Sequence, residues 1–327
     1  MKPILLQGHE RSITQIKYNR EGDLLFSSAK DKKPNVWFSI NGERLGTYNG
    51  HNGAVWCIDI DWETINFMSG SADNTCKIWD ARTGQVKTNY ETKNPVRSCG
   101  FSYSGNLAMY TTDSTLKENC YIIVRDLRLS EQDSPVHLID VTGMKFPKIT
   151  SSIWGSLEDT VITGHETGEI MLWDFRKTSS EPNYKIRPHT KQVMDLQKDK
   201  DSTCFISASK DFNSKLFDLE NIKELKCFKT EKPVNSAAIS PIRDHVLLGG
   251  GQEAVDAALY SKSGKFEARF FHLIFEQEFA KVRDHFGPIN YVAFHPDGKS
   301  YSSAGEDGFV RVHYLDQSYF DFDIKYN

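Results

Sequence analysis

The chain has 327 residues, of which 40 are basic and 44 acidic, and its formal net charge at pH 7 is -4. No apolar run approaches the ~18 to 20 residues of a membrane-spanning helix, and the mean hydropathy of -0.51 is that of a water-soluble chain. The acidic balance supplies no summed positive field for phosphates, so we expect neither direct nucleic-acid binding nor a membrane partner.

The N-terminal segment is short and weakly apolar. Residues 1–12 contain one lysine and only three consecutive aliphatic residues at 4–6, too little for a secretory signal. Six cysteines, at positions 57, 76, 99, 120, 204 and 227, include no Cys-x-x-Cys pair. Free thiols in a reducing compartment fit this pattern best, so we expect a cytoplasmic protein.

An internal repeat begins at Gly8-His9. The same dipeptide returns at Gly50-His51, 42 positions later, and an aspartate and a tryptophan within the unit return at the same distance. A period of ~40 to 45 residues is typical of β-propeller blades.

Four copies of the unit keep a fixed template of His, Ser and Asp followed by an aromatic residue. The offsets from the histidine are the same in every copy, and only the last position varies in type. The copies are His9, Ser27, Asp31 and Trp37; His51, Ser69, Asp73 and Trp79; His189, Ser207, Asp211 and Phe217; and His285, Ser303, Asp307 and His313.

Three further units occupy the gaps between these copies. The third has Arg125 in the tryptophan position, and the fourth has Trp173 with Thr163 in the serine position. The sixth has Phe271 in the tryptophan position, at the end of a strand expected over 265–272, and an extra loop around 252–264. The chain therefore contains seven units.

Each unit is expected to form four short strands. In the first unit they are expected at 13–18, 24–28, 35–38 and 45–48, separated by Gly, Asn and Asp turn residues. Residues 3–6 are expected to complete the last blade beside 310–315 and so close the ring. We therefore predict an all-β, seven-bladed β-propeller spanning 1–327 as one domain, with a tail at 319–327.

The Gly-His, Ser, Asp and Trp-Asp pattern resembles the WD-repeat family over the whole chain. Segments outside the template are similar to the i-subunit family of eukaryotic translation initiation factor 3, namely 1–20, 249–254, 264–272 and 285–308. This resemblance implies a non-catalytic scaffold subunit that supports pre-initiation complex assembly on the small ribosomal subunit and mRNA recruitment. It implies the b and g subunits as direct partners and the small subunit as an indirect one.

A WD-repeat adaptor of another assembly, such as a ubiquitin ligase or a signalling complex, remains an alternative. An enzyme is a third one, because His51, Ser69 and Asp73 are the residue types of a hydrolase triad. The same set recurs in four copies, however, and the family resemblance implies that Asp73 bonds His51, His51 bonds Ser69 and Ser69 receives Trp79. We therefore expect a structural network, no catalysis, no metal and no cofactor.

The resemblance also implies where a partner binds. A helix from the C-terminal end of the b subunit is expected along blades five and six, where the template has diverged. Asp211, Phe212, Asp218 and Glu231 are the candidate binding residues near that junction. For Asp211 the alternative is that it only holds its turn.

Overall fold

The computed structural model describes residues 3–114, 118–130, 132–143, 145–177, 181–251 and 266–322. In these ranges seven four-stranded antiparallel sheets form seven blades, which confirms the predicted propeller. The first four blades are β2 (Ile13–Tyr18), β3 (Leu24–Ala29), β4 (Asn35–Phe38) and β5 (Arg44–Thr47); β6 (Val55–Ile60), β7 (Asn66–Ser71), β8 (Thr75–Asp80) and β9 (Val86–Glu91); β10 (Val96–Phe101), β11 (Leu107–Thr112), β12 (Tyr121–Asp126) and β13 (His137–Asp140); β14 (Ile149–Trp154), β15 (Thr160–His165), β16 (Ile170–Asp174) and β17 (Tyr184–Ile186).

The fifth and sixth blades are β18 (Val193–Lys198), β19 (Cys204–Ser209), β20 (Asn213–Asp218) and β21 (Glu224–Lys229); β22 (Val234–Ile239), β23 (His245–Gly250), β24 (Ala268–His272) and β25 (Glu278–Val282). The seventh combines β26 (Ile289–Phe294), β27 (Ser300–Gly305) and β28 (Val310–Tyr314) with the N-terminal β1 (Ile4–Leu6). The extra loop expected at 252–264 lies outside the described residues.

The ring closes where the two ends of the chain meet. Ile4 pairs with Val312 and Leu6 with Val310 in an antiparallel register. Leu6 is buried and its neighbour Leu5 is exposed, as the alternation of side chains along a strand requires. The predicted closure by the N-terminal strand is confirmed.

The apolar core lies between successive blades. Phe26 of the first blade packs against Phe67 of the second, with ring centroids 5.1 Å apart, and Val55 and Trp79 belong to the same buried cluster. The second strand of a blade is therefore covered on both faces and reads as a nearly continuous buried run, as in β7. In the outer strand β9 three of the six residues are exposed and only Tyr90 is buried.

Several boundaries differ from the sequence expectation. The strand expected at 24–28 extends to Ala29, the strand expected at 265–272 begins at Ala268, and the strand expected at 310–315 ends at Tyr314. The fourth strand of the first blade is Arg44–Thr47, because Tyr48 leaves the strand and packs its ring edge-on against Trp79, 5.7 Å between centroids. After β28 the chain forms a single helical turn, α1 (Gln317–Phe320). Tyr319, the first residue of the tail expected at 319–327, is buried against a core cluster of blades six and seven, and residues 323–327 of that tail lie outside the described residues.

The blades have two ends. Turns joining the second and third strands, and loops leading into the next blade, share the end that we call upper. Turns joining the first and second strands, or the third and fourth, share the lower end, because strands of a meander alternate in direction. Among the described residues, no helix has the length and apolar character that crossing a membrane requires.

Candidate functional site

The template residues of the second blade form one hydrogen-bonded chain. Asp73 Oδ2 lies 2.9 Å from His51 Nδ1, and Ser69 Oγ lies 2.7 Å from His51 Nε2. The indole N–H of Trp79 donates to Ser69 Oγ over 2.7 Å. With the imidazole proton on Nδ1, Trp79 donates to Ser69, Ser69 to His51 and His51 to Asp73. Each of these four side chains therefore has a hydrogen-bond partner.

Three other blades repeat this geometry. In the first, His9 lies 2.7 Å from both Asp31 and Ser27, and Trp37 donates to Ser27 over 2.8 Å. In the fifth, His189 lies 3.0 Å from Asp211 and 2.7 Å from Ser207, and Phe217 supplies no donor. In the seventh, His285 lies 3.1 Å from Asp307 and 2.8 Å from Ser303, and Arg311 also donates to Asp307; His313 stacks on Tyr301 instead.

The geometry favours a structural role over nucleophilic catalysis. Ser69 is 0% exposed, and its oxygen already accepts the Trp79 N–H, so no substrate carbonyl can reach it. The aspartate holds the turn between the second and third strands, because Asp73 also accepts the backbone N–H groups of Asn52 and Thr75. A fully paired buried network of this kind rigidifies a blade.

Blades three and four use substitutes for the template. In blade four Trp173 donates to Thr163, which lies 2.8 Å from His165 Nε2. His165 stands on the same strand as Thr163, and burial lowers its pKa to about 4, which keeps the ring neutral near pH 7. In blade three Arg125 Nε donates to the Tyr110 hydroxyl over 3.1 Å, an Arg–Tyr pair in the place of Trp and Ser.

The template aspartates have lowered pKa values. For Asp211 partial burial raises the pKa, but the hydrogen bond from His189, the charge of that imidazole when protonated, and backbone N–H donors outweigh it and lower the pKa to about 2. The pKa of Asp31 and of Asp73 is lowered by contacts of the same kinds, with a further hydrogen bond from the Thr75 hydroxyl at Asp73, and the pKa of Asp307 is lowered by His285 and Arg311. The unfolded chain, with aspartate pKa values of about 3.9, therefore binds more protons than the folded one at pH 2 to 4.

This difference predicts acid destabilisation. The stabilisation from the four aspartates is present above about pH 4 and is lost as the pH falls through their folded values. Asp211→Asn is expected to have a smaller drop in unfolding free energy between pH 5 and pH 3 than the wild type, measured by urea denaturation. Asp201→Asn, at an exposed turn, is the control and keeps the wild-type slope. Equal slopes for both variants would contradict the assignment.

The four candidate partner-binding residues do not share one end of the blade. Asp211 and Phe212 lie in the upper turn, and the N–H of Thr230, next to Glu231, donates to Phe212 O over 2.8 Å. Asp218 ends β20 at the lower end, about 20 Å away at ~3.3 Å per strand residue. Asp218 is only six residues from Phe212 in the sequence, but strand β20 places the two residues at opposite ends of the blade.

The candidate residues differ in the exposure of their side chains and in the hydrogen bonds that these side chains already make. The Asp211 carboxylate is occupied by His189, Thr190 N–H and Asn213 N–H, so it holds its turn. Phe212 is 40% exposed in a left-handed conformation with φ 72°. The Glu231 side chain is 85% exposed and lies 3.8 Å from Arg269 of blade six.

Leu225 and Lys226 of blade five and Ile274 and Glu276 of blade six form an outer surface that we call the wall between blades five and six. It contains both apolar and charged side chains. Leu225 and Ile274 are exposed near its lower end, and Lys226 Nζ donates to Ile274 O over 2.8 Å across the seam. Lys226 also pairs with Glu276 at 3.4 Å. Sequence reasoning missed Leu225 and Ile274, since nothing in the template marks the outer strand or its turn.

Within the described ranges no group of His, Cys, Asp and Glu is arranged to hold a metal ion.

Comparison with known proteins gives a full-length match. The family model EIF3I matches residues 1–325. A zebrafish (Danio rerio) protein named eukaryotic translation initiation factor 3 subunit I is 58% identical over 326 residues, covering 99% of this chain and 100% of its own length. Proteins of the same name from Bombyx mori and Nematostella vectensis are each 54% identical over 332 and 327 residues, covering 100% of this chain and 99% and 100% of their own lengths.

Proposed function

The chain belongs to the EIF3I family of translation initiation factor subunits, and from this membership we propose that it is a non-catalytic scaffold subunit of the eukaryotic translation initiation factor 3 complex. It binds the b and g subunits in the cytoplasm and, through the complex, supports pre-initiation complex assembly on the small ribosomal subunit and mRNA recruitment. The observation that carries the proposal is the match along the entire length, outside the blade template as well as within it.

The closed ring supports a scaffold role. Every blade is pinned to its neighbours by an apolar cluster such as that of Phe26, Phe67 and Trp79, so the outer surface is a rigid set of turns and strand edges. A rigid surface loses little conformational entropy on binding, which favours stable subunit contacts.

Co-purification tests the proposal. The chain is tagged at its own locus, isolated after nuclease treatment and analysed by quantitative mass spectrometry. Initiation factor 3 subunits, including b and g, are expected in stoichiometric amounts. Recovery of a cullin adaptor or a signalling partner in their place would refute the initiation role and favour the adaptor alternative.

We further infer that the b-subunit helix docks along the outer wall between blades five and six. The distance of about 20 Å between Asp218 and Glu231 corresponds to about 13 helical residues at 1.5 Å per residue, so one helix lying along the wall reaches both carboxylates. Leu225 and Ile274 supply the apolar seat that such a helix needs.

The docking site predicts the effect of reversing two charges. Asp218→Lys with Glu231→Lys is expected to weaken b-subunit binding by at least about tenfold, measured with purified components by isothermal titration. The matched control is Glu10→Lys with Glu43→Lys, at exposed positions of the first blade and with the same change in net charge. If the first variant folds normally and binds like the control, the helix docks elsewhere.

A further inference from the structure

A second exposed surface lies on the lower end of blades one to four, away from the wall between blades five and six. The first turn of each of these blades presents one prominent side chain, and together we call them the aromatic patch: Arg20, Trp62, Tyr103 and Leu157. Trp62 is 43%, Tyr103 67% and Leu157 68% exposed. Large exposed apolar groups in one contiguous area mark interaction surfaces.

Arg20, Trp62 and Tyr103 contact one another from blade to blade, and a hydrogen bond between neighbouring residues joins the turns of Tyr103 and Leu157. The Arg20 guanidinium lies 4.4 Å from the centre of the Trp62 ring, and the Trp62 and Tyr103 ring centres are 4.9 Å apart. Ser104, next to Tyr103, donates its hydroxyl to Glu158, next to Leu157, over 3.0 Å. Three successive blade contacts therefore form one surface.

The turns that carry the rings are held in place before any partner arrives. Asp61 is buried and its carboxylate accepts the N–H groups of Ile65 and Asn66 at 2.7 and 2.9 Å, closing the Trp62 turn. The Ser102 hydroxyl accepts the N–H of Leu107 over 3.1 Å, closing the Tyr103 turn. Pre-organised aromatic side chains lose little entropy on binding.

The position of Trp62 distinguishes it from the tryptophans that build the fold. All six tryptophans are in described ranges, and four of them, Trp37, Trp79, Trp154 and Trp173, are at most 3% exposed and donate their indole N–H to a neighbouring strand. Trp62 packs on a surface arginine instead. Trp, Tyr and Arg are the residue types that dominate binding hot spots.

The charge around the aromatic patch selects the class of partner. The four turns, 19–23, 61–65, 102–106 and 155–159, contain one cation, Arg20, against five carboxylates that are not buried, Glu21, Asp23, Glu63, Glu158 and Asp159, in addition to the buried Asp61. Arg176 approaches Asp159 to 3.8 Å and compensates one of them. An RNA strand would find rings to stack on, but the carboxylates would repel its phosphates.

We propose that the aromatic patch docks a basic, amphipathic protein segment. Aliphatic or arginine side chains of that segment pack on Trp62, Tyr103 and Leu157, and its lysines and arginines face the surrounding carboxylates. This surface goes beyond the proposed scaffold role, because it does not depend on the b and g subunits and lies on different blades from the proposed helix site.

Defined probes test the proposal on the full-length chain. Three fluorescent peptides of about 20 residues share the same leucine positions and carry Lys/Arg, Gln or Glu at the remaining sites; an oligouridine of similar length is the fourth probe. Binding is measured by fluorescence anisotropy for the wild type, for Trp62→Ala with Tyr103→Ala, and for the control Phe286→Ala. The control removes an exposed aromatic ring at the upper end.

The expected result is tightest binding of the basic peptide, weakened by salt, and an affinity loss of at least about tenfold in the Trp62/Tyr103 variant and not in the control. Glu21→Lys with Glu63→Lys keeps the rings and is expected to remove the preference for the basic peptide. Circular dichroism confirms that each variant is folded. The proposal is overturned if the basic peptide does not bind better than the Gln peptide, if it binds the Trp62/Tyr103 variant as well as the wild type, or if RNA is the probe whose binding that variant abolishes.

Discussion

Replacing Trp79 by alanine is expected to lower the free energy of unfolding by about 3 to 5 kcal/mol, the cost of large-to-small substitution in a packed core. Trp79 is 0% exposed, packs against Tyr48 of the preceding blade and donates to Ser69. Its removal leaves a cavity between two blades and takes away the donor that completes the His51 network.

Urea denaturation at pH 7 measures this effect, with Trp62→Ala as the matched control. Trp62 is 43% exposed, so its removal is expected to change the free energy of unfolding by no more than about 1 kcal/mol. Equal stability losses in the two variants, or a Trp79→Ala protein with an unchanged thermal midpoint, would contradict the structural role assigned to the template.

Introducing aspartate at Leu6 is expected to destabilise the ring by about 3 to 5 kcal/mol, because it removes a buried leucine and places an unpaired charge against the seventh blade. Leu6 is 1% exposed and lies opposite Val310. Without this strand, β28 becomes an open sheet edge, which also promotes aggregation.

Leu5→Asp is the control for Leu6→Asp, since Leu5 is 52% exposed on the same three-residue strand. It is expected to remain within about 1 kcal/mol of the wild type. Thermal unfolding of the pair gives the comparison. If Leu6→Asp is as stable as Leu5→Asp, the N-terminal strand does not contribute to closure.

The fold was predictable because the same residue types recur along the chain at regular intervals. A constant spacing of His, Ser, Asp and Trp predicted blades, and the strand-like residues before the first unit predicted closure. Blades three and four were harder, because their networks recruit residues from other positions. His165 reaches Thr163 from two residues along the same strand. Arg125 stands in the tryptophan position, but its partner Tyr110 lies 15 residues before it, not 10 as Ser69 does before Trp79.

The candidate partner site was less predictable than the fold. Asp211 and Asp218 are close in sequence, but β20 carries them to opposite ends of a blade, and Asp211 is already occupied by His189. Conversely, Trp62 and Tyr103 belong to different repeats, and only the ring brings their turns into contact. Surfaces of a propeller depend on which turns become neighbours, which a periodic pattern does not reveal.

Sedimentation of the chain with ribosomal particles is the most direct test of its role in initiation. The tagged wild-type chain is followed through a sucrose gradient of a gently cross-linked cell extract, together with the small ribosomal subunit and the b subunit. We expect a peak of the chain in the small-subunit fractions that coincides with the b subunit. A chain found only in slowly sedimenting fractions, or in an assembly that lacks the b subunit, would contradict it.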